Sequence, residues 1–184
     1  MELQELIDTF YSNYNASIDY EALENICQSM SDGYLKVIKI EICSLNVFQN
    51  TLDKVLNGKT PIFEYDGGGK KHIALKIAAG KYILKKFGQK CDYEENYCGQ
   101  RPDVISKDKD IIFECGDTDP RKILEYLGEN ENLKIFVMPY HRIEDGKLIC
   151  GFLFIKNKNG LATNLYKRKI DSLADVRKII ASRK

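Results

Sequence analysis

The sequence predicts an α/β fold in which a mixed sheet is covered by helices. Three observations carry this. From residue 71 onward, stretches of helical period alternate with short β-branched runs in the order helix, three strands, helix, strand, strand. The three consecutive strands are joined by short turns, which makes them an antiparallel meander. Asp119-Pro120 then opens a helix that crosses over and brings the fourth strand in beside them. With 184 residues, 43% apolar and 30% charged, the chain has an ordinary globular composition, and one domain with an extension is expected.

Leu3, Leu6, Ile7 and Phe10 form an apolar stripe and predict a helix over Glu2–Tyr14. A second helix follows over Tyr20–Met30, starting near Asp19. After the Ser31-Asp32-Gly33 turn, Val37, Ile38, Ile40 and Ile42 make Tyr34–Cys43 a strand. Val47–Leu56 is a short helix ended by Asn57-Gly58, and Thr60–Tyr65 is strand-like. Gly67-Gly68-Gly69 is the clearest break and sets the expected boundary, with an α/β extension over 1–66 and a core over 67–184. The triplet lacks the Lys-Ser/Thr ending of a phosphate-binding loop and reads as a connector.

Beyond it, Lys71–Phe87 is a long helix with Ile73, Ile77 and Leu84 on one side, stopped by Gly88. Strands are expected at Lys90–Asn96, Asp103–Ser106 and Asp110–Cys115, with Lys107-Asp108-Lys109-Asp110 as a polar turn. Asp119 caps the next helix and Pro120 takes its first position; it runs to Leu127 and stops at Gly128. Strands Leu133–Met138 and Leu148–Ile155 follow, with a turn at Glu144-Asp145-Gly146. An amphipathic helix over Ser172–Ser182 closes the chain.

Apolar runs are well short of the ~20 residues of a membrane-spanning helix. The amino-terminal residues also lack the basic start and apolar core of a signal peptide. A soluble, cytoplasmic protein is therefore expected. The six cysteines (27, 43, 91, 98, 115, 150) include no Cys-x-x-Cys pair, and with only two histidines they read as small buried apolar residues rather than a zinc site. Two histidines and no nucleophile turn also argue against a Ser-His-Asp set.

The net charge of +1 conceals strong segregation. Residues 1–32 carry seven acids and no base, residues 67–90 seven lysines and no acid, and residues 91–132 twelve acids against five bases. An anionic partner for the lysine block is one reading, and mutual compensation of charged faces is the other.

Three acids stand out within the meander. Asp103 opens the second strand, Glu114 ends the third after Ile111-Ile112-Phe113, and Glu94 or Glu95 ends the first. The start of strand two faces the end of strand three, so Asp103 and Glu114 are expected side by side, about one strand spacing (~5 Å) apart. Carboxylates that close call for a neutralising cation, and a hard ion such as Mg²⁺ or Mn²⁺ is the usual one. Alternation directs Glu114 to the face of Ile112, where its burial costs desolvation without a partner.

The stretches Arg101-Pro102-Asp103-Val104-Ile105 and Ile111-Ile112-Phe113-Glu114-Cys115-Gly116, followed by a helix, resemble the PD-(D/E)XK nuclease superfamily over roughly residues 70–155. The resemblance implies a restriction-endonuclease-like αβββαβ core and Mg²⁺- or Mn²⁺-dependent hydrolysis of DNA. It implies Asp103 and Glu114 as metal ligands, the carbonyl of Cys115 as a third, and Glu95 or its neighbour Glu94 as an additional acid. The chain departs from the pattern at Gly116, where the family has a catalytic Lys. Either Lys122, on the helix after Glu114, or Lys76, on the basic helix, supplies that charge, or the domain is a catalytically silent module that binds nucleic acid or protein. Lys70, Lys71, Lys81 and Lys85 are the expected DNA-backbone contacts. DNA is the expected partner, and the sequence leaves a homodimer open. His72 and His141 read as exposed turn-type histidines.

Overall fold

The computed structural model describes Ile7, Thr9, Phe10 and residues 19–60, 68–130, 132–140, 143–144 and 146–157. Its elements are α1 (Tyr20–Ser31), β1 (Leu35–Ser44), α2 (Leu45–Leu56), α3 (Lys70–Phe87), β2 (Cys91–Tyr93), β3 (Val104–Ser106), β4 (Ile111–Cys115), α4 (Pro120–Glu129), β5 (Lys134–Met138), β6 (Ile143–Glu144) and β7 (Leu148–Lys156). Of the helix expected over Glu2–Tyr14, Ile7, Thr9 and Phe10 are helical and buried. The rest of that helix, the strand-like segment beyond Thr60, His141 and the closing helix lie outside the described residues.

Local chemistry accounts for the element starts. Asp19 accepts a hydrogen bond from the Ala22 amide (3.0 Å), Ser44 from Val47 (3.4 Å) and Asp119 from Arg121 (2.9 Å), so each side chain satisfies an amide that its helix cannot. Pro120 occupies the first turn of α4, as the sequence predicts. Gly128 does not stop that helix, which continues to Glu129 and is capped at Asn130. One interior glycine costs only about 1 kcal/mol, which the packed face offsets.

The sheet is mixed, with strand order β1-β7-β5-β4-β3-β2 and β6 paired to β7. β2, β3 and β4 form an antiparallel meander, and the α4 crossover sets β5 parallel to β4. β7 runs antiparallel to both β5 and β1, so the strand contributed from before the glycine triplet belongs to the same sheet. Helices flank both faces. α1 and α4 cover the face of Ile105, Ile112, Ile135 and Phe152. α2 and α3 cover the face of Val104, Phe113, Phe136 and Met138. The α/β class with a mixed, helix-covered sheet is thus observed. No helix among the described residues is long and apolar enough to cross a membrane.

Alternation along β4 explains how one short strand serves both layers. Ile111, Phe113 and Cys115 enter the α3 layer while Ile112 enters the α4 layer. Across the β4–β5 pair, Phe113 and Phe136 stack with centroids 4.4 Å apart and planes 3° from parallel. Phe136→Ala should therefore cost about 3–5 kcal/mol of stability, measured by urea unfolding; a loss below about 1 kcal/mol would show that this pair does not anchor the sheet.

Candidate metal and ion-pair site

The site grows from the amino-terminal half of α3. His72 and Lys76 are one helical turn apart and share a face, and Gly80 continues the row. A Cβ on Gly80 would lie 3.0 Å from Cys91 Sγ and would collide with Tyr93, so its absence lets β2 approach the helix closely. That approach brings Glu94, just past β2, onto Lys76. Glu94 takes a left-handed backbone (φ 52°) rare for a side chain with a Cβ. Two bonds hold it there. Its amide donates to the Asp103 carbonyl (3.2 Å), and its own carbonyl accepts from Arg101 Nε (2.8 Å).

Lys76 is completely buried, and its ammonium contacts Glu94 Oε1 and lies 3.7 Å from Asp103 Oδ1. Asp103 Oδ1 also accepts from His72 Nε2 at 2.9 Å, and Oδ2 accepts from the Cys115 amide at 2.7 Å. Burial acts to raise the Asp103 carboxyl, but His72, the Cys115 amide and Lys76 outweigh it and hold the group below the usual range. Arg101 Nη2 adds a second cation 3.4 Å from Glu94 Oε2.

Glu114 occupies the other layer. It is 3% exposed, accepts from Lys122 Nζ (3.0 Å) and Tyr126 Oη (2.7 Å), and both partners belong to α4. Burial pushes its carboxyl up to about 7, with Asp103 adding to the rise and Lys122 and Tyr126 opposing it. The Tyr126 hydroxyl is itself raised by burial and by Glu114.

The sequence placed Asp103 and Glu114 side by side, and the pairing Val104↔Phe113 does set them level with each other. Their side chains nonetheless reach different layers. Asp103 precedes the first residue of β3 and is not bound by strand alternation, so it turns toward α3, whereas Glu114, inside β4, follows the parity of Ile112 toward α4. Among the described residues, the donors that converge within 4.8 Å of one another are His72, Glu94 and Asp103; Glu114 is not in that set. Glu95 points elsewhere and pairs with Lys109 at 2.9 Å. Cys115 reaches Asp103 through its amide, while its thiol is buried and pushed well up by that burial.

Both candidate lysines meet acids, Lys122 on Glu114 and Lys76 between Glu94 and Asp103. The expected DNA-contacting lysines are dispersed. Lys71 lies 5.7 Å from the centroid of Tyr140 beside His72, and Lys70 reaches the Leu56 carbonyl at 3.4 Å. At roughly 100° per residue, Lys81 and Lys85 lie about 140° and 180° around α3 from Lys76. There they line an open groove of about 970 Å³ with Ile40, Val47 and Tyr82, and Lys81 donates to Thr51 Oγ1 at 3.3 Å.

Sequence reasoning missed His72, Tyr126 and Tyr140 as site residues. The i, i+4 spacing of His72 and Lys76 in the lysine block was the available signal. Tyr126 carried no signal beyond its place in the apolar stripe of α4, and Tyr140 carried none.

An imidazole nitrogen and two carboxylates form a donor set suited to a divalent first-row cation, and Mn²⁺ more than Mg²⁺. Lys76 already supplies positive charge to both acids. Comparisons with known protein families, curated proteins and solved structures gave no match.

Glu114 makes a sharp pH prediction. Its folded-state value of about 7 lies above the ordinary 4.5. Below pH 4.5 both folded and unfolded chains are protonated there, and no penalty exists. As pH rises toward 7 the unfolded chain ionises first and stability falls, by on the order of 3 kcal/mol once pH exceeds 7. Glu114→Gln should match the parent near pH 4.5 and exceed it in stability at pH 8, measured by urea unfolding at both. An equal difference at the two pH values would refute a strained carboxylate.

Proposed function

We propose that this chain is a divalent-metal-dependent nuclease that hydrolyses DNA phosphodiesters, a PD-(D/E)XK-like enzyme whose lysine has moved from position 116 to Lys76. The observation that carries the reading is the buried Lys76 ammonium between Glu94 and Asp103, with His72 on the far side of Asp103. The helix–meander–helix–strand order from α3 to β5 supports it, as do the Pro-Asp and Glu-Cys-Gly stretches on adjoining strands.

Asp103, Glu94 and His72 would hold the cation. When bound, it would lower the pKa of a water and offset charge on the phosphate. Lys76 brings a cation from a water-excluded helix face, where it stabilises charge developing on a phosphate oxygen more strongly than it could in solvent. Asp103 is ionised at neutral pH because its neighbours hold its carboxyl low, so it is ready as a ligand without losing a proton. Glu114 sits near its midpoint at neutral pH, so it can take up or release a proton, with Lys122 and Tyr126 fixing its two oxygens.

A second reading is a catalytically silent module of the same architecture that binds nucleic acid or protein. The observation favouring it is that Glu94, Asp103 and Glu114 each already have a lysine or arginine beside them, so these acids are neutralised without a metal.

Purified protein incubated with single- and double-stranded DNA and Mn²⁺ separates the two. The nuclease reading expects cleavage, reduced on the order of 10²–10³-fold by Asp103→Ala or by Lys76→Met and much less by Lys122→Ala. Cleavage that survives Asp103→Ala would overturn the site assignment. DNA binding without cleavage would establish the second reading.

A further inference from the structure

The His72 ring lies against Gly68 and Tyr140, and Tyr140 in turn lies against Gly116. Gly68 takes φ 86°, and a Cβ there would lie 2.9 Å from His72 Cγ. Gly116 takes φ 83°, and a Cβ there would lie 2.7 Å from the Tyr140 hydroxyl. Any side chain at 116, lysine included, would displace the Tyr140 ring as well as strain the backbone. The space beside Gly116 is therefore filled by Tyr140, whose hydroxyl lies 3.2 Å from His72 Nδ1, with ring centroids 6.2 Å apart.

The proton positions follow from chemistry. Asp103 faces donors on both oxygens, the Cys115 amide at Oδ2 (2.7 Å) and the Lys76 ammonium 3.7 Å from Oδ1, so the carboxylate acts as the acceptor and His72 Nε2 carries the hydrogen in their 2.9 Å bond. In a neutral ring Nδ1 is then an acceptor, and Tyr140 donates to it. A ring in this form cannot ligate a cation through Nε2, although Nε2 is the atom that faces Asp103. To become a ligand, the ring must lose its hydrogen at Nε2 and gain one at Nδ1, a neutral exchange through water that leaves the ring uncharged. After it, Nδ1–H needs an acceptor.

We propose that Tyr140 is a positioning residue that lets His72 switch between these two tautomers, one locked onto Asp103 and one presenting Nε2 to a divalent first-row cation. A phenol suits the task because its oxygen both donates and accepts, so it satisfies Nδ1 in either state. A carbonyl could satisfy only the second form. Metal-ligating histidines generally donate their other ring hydrogen to an outer partner, and removal of such a partner costs 10–100-fold in affinity. This inference rests on the reading of His72, Glu94 and Asp103 as a metal site, and it adds the means by which the imidazole enters that site.

With only two histidines in the chain, ¹⁵N-histidine NMR resolves the ring directly, and His141→Gln assigns the second signal. Mn²⁺ binding is followed in parallel by electron paramagnetic resonance on the full chain. Tyr140→Phe keeps the ring over Gly116 and removes only the hydroxyl. The expected results are a metal-free His72 in the Nε2–H form, loss of its signals on adding Mn²⁺, and Mn²⁺ affinity about 10–100-fold weaker in Tyr140→Phe with its circular dichroism and unfolding midpoint preserved. A metal-free ring in the Nδ1–H or doubly protonated form would overturn the inference. So would equal Mn²⁺ affinity in Tyr140→Phe, while leaving the metal site standing. Absence of Mn²⁺ binding by the parent chain would overturn both.

Discussion

The buried ammonium of Lys76 is the constraint on which the site depends. An ammonium with no solvent exposure persists only if anions surround it, because desolvation costs several kcal/mol that a well-placed pair must offset. Glu94 and Asp103 supply them from the two ends of the β2–β3 connection, and Arg101 from the same connection holds Glu94 in turn. Close contact of α3 with β2 at Gly80 makes the reach short enough. Both acids belong to the β2–β3 connection, so that loop is tied to the helix electrostatically as well as by packing.

Glu114 is the counterpart in the opposite layer. It too is a buried carboxyl beside a lysine, but its surroundings favour the protonated form, whereas those of Asp103 favour the ionised one. Two carboxylates level with each other across adjoining strands thus differ in acidity because they face different layers. One has three polar donors around it and stays charged. The other has a lysine and a phenol against a largely apolar helix face and sits near neutrality. That separation places a carboxylate whose surroundings favour the ionised form and a group able to exchange a proton near pH 7 on adjoining strands.

Much of the architecture was legible in the chain. β-branched runs, the Asp119-Pro120 start and the polar turn before Ile111 located the second and third strands and the crossover helix to within a residue or two, because those signals act over a few neighbouring residues. The first strand, expected over Lys90–Asn96, is only Cys91–Tyr93 because the chain turns left-handed at Glu94. Gly128 misled, since a glycine ends a helix only when tertiary contacts do not carry it further. At the site, Asp103, Glu114, Lys76 and Lys122 stood out by residue type and position. Their grouping did not. Glu94 was one of two adjacent acids that sequence could not tell apart, and only its left-handed backbone aims it at Lys76 while Glu95 turns to Lys109.

The sequence by itself determined the order of elements and the layered α/β class, since both depend on period, capping and residue type along the chain. It also held the charge blocks that cancel to +1. The tertiary structure decided what surrounds Gly116. Tyr140 lies 24 residues beyond Gly116 and His72 44 before it, and no local pattern links them. Folding β5 parallel to β4 and α3 across the sheet brings the three together, so that Gly116 appears as the room made for a tyrosine against a histidine. Side-chain direction at a strand end is set by what packs above and below it, and that information exists only once the layers have closed.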